Sequence, residues 1–264
     1  MNATKNMRRI IFLCFWLLAG TGIIVLLIAA VNARSHQVCM GYDININGRD
    51  SGQWFIDRND IVDVLTKNKS VDIRNKPIKS FDLGSIETKL EKESWVKDAE
   101  LFFDNEGILK VKVTERVPVA RLFTPMGKSF YIDSAGKKLP LSSKMSVKLP
   151  VFTGYPYQSK KVGAPEKKLI GQITQLSLYL ADNPFWMAQI SQIDITPARQ
   201  FEMVPTIGNH LIEFGEADEI KEKFHRLFIF YKQVLAKTGM DKYEKIKVQF
   251  DNQVIGVKKQ SANN

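Results

Sequence analysis

Cysteine is nearly absent from this chain: there are two, Cys14 and Cys39, in 264 residues. Cys14 lies inside a long apolar run and Cys39 outside it, so no intrachain disulfide is geometrically available. A disulfide-stapled scaffold is excluded, and Cys39 reads as a small buried apolar residue. Histidine is as scarce, with only His36, His210 and His225. None has a second ligand at helical or hairpin spacing, so no metal centre is expected. His225, beside Phe224 in a helical pattern, reads as solvent-facing. The chain also lacks G-x-S-x-G, H-E-x-x-H, C-x-x-C and P-loop sequences. Asp57 and Asp60 read as a helix cap and an exposed neighbour, not as a catalytic pair. The expectation is a protein with no catalytic residue and no cofactor. No run of five or more cations occurs, which argues against a nucleic-acid partner. The 16 glycines have no period, which excludes collagen-like structure, and no internal repeat is evident.

Acid is missing from the N-terminus: no Asp or Glu precedes Asp43. Lys5, Arg8 and Arg9 stand before an uncharged run from Ile10 to Val31. As a helix that run spans roughly 33 Å, against a hydrocarbon core of about 30 Å. It is longer than a signal-peptide core, although Val31-Asn32-Ala33 could pass as a cleavage site. The expectation is a retained single-pass anchor with a cytoplasmic N-terminus and the bulk of the chain across the membrane. The remainder, with 44% hydrophobic and 25% charged residues overall, is ordinary globular material. The net charge of +10 fits solubility first and work near anionic lipid or wall polymer second.

Beyond a short link at 32–40, periodicity outlines two domains. Tyr42–Asn47 alternates as a strand. Asp57 can cap a helix holding Ile61, Val64 and Leu65, and Asp82 a second holding Ile86 and Leu90. Val96–Phe103 and Leu109–Val113 read as strands around the turn Asp104–Gly107. This β-α-α-β-β order fills 41–115. From 116 to 257 the order changes. Short strands are expected at Val119–Thr124, Ser129–Asp133 and Lys137–Leu141, with Gly136 in a tight turn. Pro150–Pro165 reads as loop-rich, and Glu166–Leu180 as a helix stopped by Asp182-Asn183-Pro184. Strands follow at Ile190–Ile195, Phe201–Val204 and Leu211–Phe214. A second helix runs over 218–237 with Gly239 as C-cap. The last strand, Tyr243–Phe250, is followed by a second piece at Val254–Val257 and a polar tail, 258–264. The fold class expected is α+β, with one transmembrane helix, a small β-α-α-β-β domain and a mixed β-rich domain with two helices.

Three stretches resemble the bacterial cell-division family FtsQ/DivIB. Glu115-Arg116-Val117-Pro118-Val119-Ala120 is similar to that family's junction between its POTRA and β domains. Gly127–Gly136 ends in Tyr-x-Asp-x-x-Gly, like the family's hairpin. Lys245–Gly256 is similar to its terminal strands. The resemblance covers nearly the whole chain, although the cytoplasmic tail, 1–9, is short for the family and the loop 67–79 matches loosely. It implies a non-enzymatic, inner-membrane scaffold at the division septum whose β domain takes up FtsB-like and FtsL-like single-pass proteins. Other divisome components would meet the POTRA domain. The residues that the resemblance and the alternation point to are Lys245, Lys247, Val248, Phe250, Asp251, Asn252 and Val254. Glu115, Arg116 and Pro118 mark the junction.

Lys245–Phe250 alternates Ile246, Val248 and Phe250 against Lys245, Lys247 and Gln249. A chain-terminal strand is a candidate sheet edge, open to β-augmentation; its lysines could equally keep the edge unpaired. Two other classes remain. One is a POTRA-bearing chaperone of outer-membrane assembly or secretion; the other is an anchored cell-wall enzyme, which would require a deep pocket with convergent carboxylates or a metal.

Overall fold

The computed structural model describes residues 15–26, 37–48, 55–66, 72–156 and 163–259. Helix α1 covers 15–26. Its apolar side chains are exposed on every side, from Phe15 and Trp16 through Leu18 (74% exposed) to Ile23 and Leu26. The rest of the expected span 10–31 lies outside the described residues. Among the described residues no helix is long and apolar enough to cross a membrane.

The chain divides into two compact units, Met1–Asp50 with Ile56–Glu115 and Ser51–Phe55 with Arg116–Asn264. In the first, β1 (Gly41–Asn47), α2 (Arg58–Leu65), α3 (Leu83–Lys92), β2 (Val96–Phe103) and β3 (Ile108–Glu115) follow in order. The sheet order is β1-β3-β2, with β1 parallel and β2 antiparallel to β3. β3 is therefore central, and its Leu109, Val111 and Val113 are buried. Asp57 caps α2, and Asp60, expected to be merely exposed, closes the capping box by accepting from Asp57 N–H at 2.8 Å. Asp82 caps α3 through Ser85 N–H.

Of the link expected over 32–40, residues 32–36 lie outside the described residues and 37–40 are built into this unit. Val38 bridges Pro77, and Cys39 exchanges backbone bonds with Lys76 and Asn75. The Cys39 side chain is fully buried.

The second unit holds one mixed sheet of nine strands among the described residues: β12-β11-β10-β9-β8-β7-β4-β5-β6. In chain order these are β4 (Pro118–Phe123), β5 (Ser129–Asp133), β6 (Lys138–Leu139), β7 (Val151–Thr153), β8 (Ile190–Ile195), β9 (Phe201–Pro205), β10 (Leu211–Gly215), β11 (Tyr243–Lys247) and β12 (Ile255–Lys258). Helices α4 (Ala164–Ala181), α5 (Pro184–Gln189) and α6 (Ile220–Phe230) contribute to one core with the sheet's apolar residues. Leu169, Ile173, Leu176 and Leu180 of α4 meet Phe224 and Leu227 of α6 and Phe152, Phe201 and Phe214 of the sheet.

Three elements differ from the periodicity reading. Pro150–Pro165 is not only loop, since β7 lies within it, paired in parallel on both sides with β4 and β8. Pro184 does not only stop α4 but starts α5 as its first residue, a position that its fixed φ and missing N–H suit. The helix expected over 218–237 changes register, passing from α6 into a π-helical turn at Tyr231–Leu235 and then α7 (Ala236–Thr238).

Tyr231 of that π turn belongs to a buried polar pair. The Tyr231 hydroxyl and His210 Nε2 are 2.7 Å apart, and His210 is 2% exposed. Burial pushes the imidazole pKa below its ordinary value, outweighing the backbone of Met240 and the charge of Asp241, which act the other way. The unfolded chain therefore takes up this proton first, near pH 6.5, and the folded chain only at lower pH. Stability is expected to fall as pH drops through 6.5, and to level off once the folded form is protonated. Thermal unfolding across pH 7.5–5 checks this; His210→Gln should flatten the slope.

A candidate partner-binding edge

Glu115 and Arg116 each make a bond inside their own unit. Glu115 ends β3 and is 1% exposed; its Oε1 accepts from Ile56 N–H at 2.9 Å. Arg116 opens the second unit and donates from Nη1 to Asp133 Oδ2 at 2.8 Å. The other oxygen, Asp133 Oδ1, accepts from the N–H groups of Ala135 (3.0 Å) and Lys137 (2.8 Å). One carboxylate thus holds both the arginine and the turn, while Gly136 adopts the left-handed φ of 76° that closes it. The Asp-x-x-Gly spacing of the hairpin motif is this turn. Pro118 starts β4, where a strand tolerates proline.

The strand carrying Lys245 and Lys247 is not the sheet edge expected of it. β11 is paired on both sides: parallel to β10 (Leu211↔Lys245, Glu213↔Lys247) and antiparallel to β12 (Lys245↔Val257, Lys247↔Ile255). The reason lies in the piece at 254–257, which folds back through a turn and takes the outer place. The edge is therefore β12, four residues long, with no strand paired on its far side among the described residues. It offers backbone N–H and C=O groups to an incoming strand.

Of the residues expected at the site, Lys245 and Lys247 sit on the sheet face away from the helices. Both grip Glu213, with Nζ–Oε distances of 2.9 and 3.1 Å. Burial raises the Glu213 pKa, but the two lysines' hydrogen bonds and charges outweigh it and hold the carboxyl below its ordinary value. These cations thus tie β11 to β10. Val248 is fully buried, and its N–H bonds Glu213 O at 3.0 Å, so its side chain belongs to the core and not to an interface. Phe250 is 39% exposed. Asp251 and Asn252 form the turn, with Asn252 at φ 55°, a conformation asparagine tolerates better than most residues. Val254 packs against the core.

Sequence reasoning missed Glu213, Arg226 and Gly256. Arg226 of α6 reaches the carbonyls of Val248 (3.3 Å) and Phe250 (3.4 Å) and pins the segment that leads into β12. Gly256 leaves room for the Tyr243 ring: a Cβ there would lie 2.6 Å from Tyr243 Cε1. Its place beside Val257 in an alternating stretch was the one available signal. Beside the Asn252 turn opens a groove lined by Tyr179, Trp186, His225 and Phe228, so the edge has an aromatic flank. Phe228 of that lining meets the exposed Phe185 ring edge-on, 5.5 Å away. His225 is exposed, as its sequence position suggests.

In the first unit β1 lies at an edge. At the opposite edge, Leu101 N–H of β2 is taken by Glu87 Oε1 of α3 at 2.7 Å. Among the described residues no cluster of three or more His, Cys, Asp or Glu could hold a metal ion.

Residues 37–114 match a POTRA-like domain. Residues 117–257, more than half of the chain, match the family described as FtsQ/DivIB, C-terminal related. The two units therefore define a POTRA-like domain followed by a cell-division-type β domain that ends in an open edge strand. The cell division protein FtsQ of Salinibacter ruber (strain DSM 13855 / M31) is 23% identical over 176 residues, covering 64% of this chain and 67% of that protein. The chain belongs to the FtsQ/DivIB family.

Proposed function

We propose that this chain is a non-enzymatic, membrane-anchored scaffold of the bacterial divisome that takes up an FtsB-like protein, itself paired with an FtsL-like one, along β12, and so helps control septal wall synthesis. The observation that carries this reading is the open far side of β12, flanked by exposed Ile255 and Phe250. A partner strand gains backbone hydrogen bonds there and apolar cover from those side chains. The exposed apolar surface of α1 supports an anchor over 10–31, and the preceding cations support an N-terminus in the cytoplasm and the rest in the periplasm. Confinement to the membrane plane raises the effective concentration of other anchored partners. The edge strand β1 leaves the POTRA-like unit free to meet further division proteins.

Phe250→Asp should weaken binding of the FtsB-like ectodomain by about thirtyfold or more, as loss of an interface anchor does. The fold should stay intact by circular dichroism, because Phe250 contributes little to the core. Unchanged affinity in a titration with purified proteins would remove Phe250 from the interface.

A further inference from the structure

A second groove lies on the β domain, away from β12. Helix α4 has two faces. Leu169, Ile173, Leu176 and Leu180 point into the core. Offset from them, Lys167, Ile170, Gly171, Thr174 and Leu178 recur at spacings of three and four, so they share one side of the helix. They line a groove whose other wall is the hairpin tip at Ser134–Gly136 and Lys138. The hairpin sits hard against α4, for a Cβ on Gly136 would strike Ile170 Cγ2. Along α4 this face runs for three turns, about 16 Å. That length matches a short helix laid along it.

Gly171 is the telling residue. A glycine in mid-helix costs about 0.5–1 kcal/mol relative to alanine. Yet nothing lies within 4 Å of where its Cβ would stand. The fold itself has no use for the missing side chain; a helix approaching closely would. Thr174 is 8% exposed, and its Oγ1 has no hydrogen-bond partner. Leu178 is 42% exposed. The lining holds two cations, Lys138 and Lys167, and no carboxylate. Glu166, outside the lining, binds Lys138 at 3.0 Å and the Tyr155 hydroxyl at 2.7 Å.

We propose that this groove takes an acidic amphipathic helix of another protein. Its apolar stripe would cover Ile170 and Leu178, its backbone would come close at Gly171, and its carboxylates would face Lys167, since Lys138 already pairs with Glu166. The surface is separate from β12, so the scaffold would hold two partners at once.

The test is fluorescence anisotropy on the full-length chain with two labelled, stapled helices. Both carry leucines at i, i+3, i+4 and i+7; one is flanked by glutamates, the other by lysines. The acidic helix should bind about tenfold more tightly than the basic one, or better. Lys167→Glu, an exposed change, should reverse that preference. Gly171→Trp should reduce acidic-helix binding about tenfold, while Gly171→Ala, which fits the open space, should raise the melting temperature. The acidic helix should not displace an FtsB-like ectodomain bound at β12. Equal binding of the two helices, full binding by Gly171→Trp, or displacement at β12 would overturn the proposal. So would self-association of the chain that Gly171→Trp abolishes while neither helix binds, since a second copy would then be the occupant. The anisotropy requires no division partner, so its outcome is independent of the edge-strand reading.

Discussion

Asp133→Ala is expected to lower the unfolding free energy of the β domain by about 3–5 kcal/mol, the range for removing one partner of a buried ion pair. The magnitude follows from how much one carboxylate does. The Asp133 and Arg116 side chains are only 6% and 15% exposed, and water cannot readily replace their bond. The same carboxylate also satisfies two N–H groups of the β5–β6 turn. Alanine removes all three contacts and leaves the guanidinium without that counter-charge. Asp133→Asn retains an oxygen for the turn but not the charge, and its loss should be smaller. In urea titrations the midpoint should fall with little change in slope. A shift of less than about 1 kcal/mol would mean that water already screens the pair.

Gly256→Val is expected to detach the outer strand and, with it, the partner. The added side chain would meet the Tyr243 ring at 2.6–2.7 Å and Phe230 Cζ at 3.1 Å. Tyr243 is 9% exposed and packs edge-on to Phe230 at 5.4 Å, so neither ring can yield cheaply. Overpacking of this kind costs about 1–3 kcal/mol. It falls on a four-residue strand with a single neighbour, so β12 should fray while β4–β10 stay paired. Affinity for an FtsB-like ectodomain should drop about a hundredfold, equivalent to about 2.7 kcal/mol. Far-ultraviolet dichroism should change little. Retained affinity with β12 displaced would place the partner elsewhere.

Much of the fold was legible because its signals are local. Asp57 and Asp82 each announced a helix start, and Leu109, Val111 and Val113 alternated as a buried strand must. The Gly136 turn and the apolar stripe of α4 were equally plain. What escaped the sequence depends on distant partners. β7 is three residues whose two parallel neighbours, β4 and β8, are far along the chain, and nothing in Val151–Thr153 itself marks a central strand. The edge was misplaced by one strand for the same reason. Periodicity found both terminal pieces, but only the turn at Asn252 decides that the shorter one lies outside. With β11 enclosed, its lysines neutralise the half-buried Glu213 instead of greeting or repelling a visitor. Val248 moves from the interface into the core, while Phe250 keeps an exposed face beside the edge.

The most direct measurement is hydrogen–deuterium exchange on the full-length chain, alone and with the FtsB-like and FtsL-like pair bound. Strand addition at β12 predicts that slowed exchange concentrates in 255–258 and the 250–254 turn, with β1 unchanged. Protection confined to β1, or to α1 and its flanks, with 255–258 exchanging as in the free chain, would contradict the account.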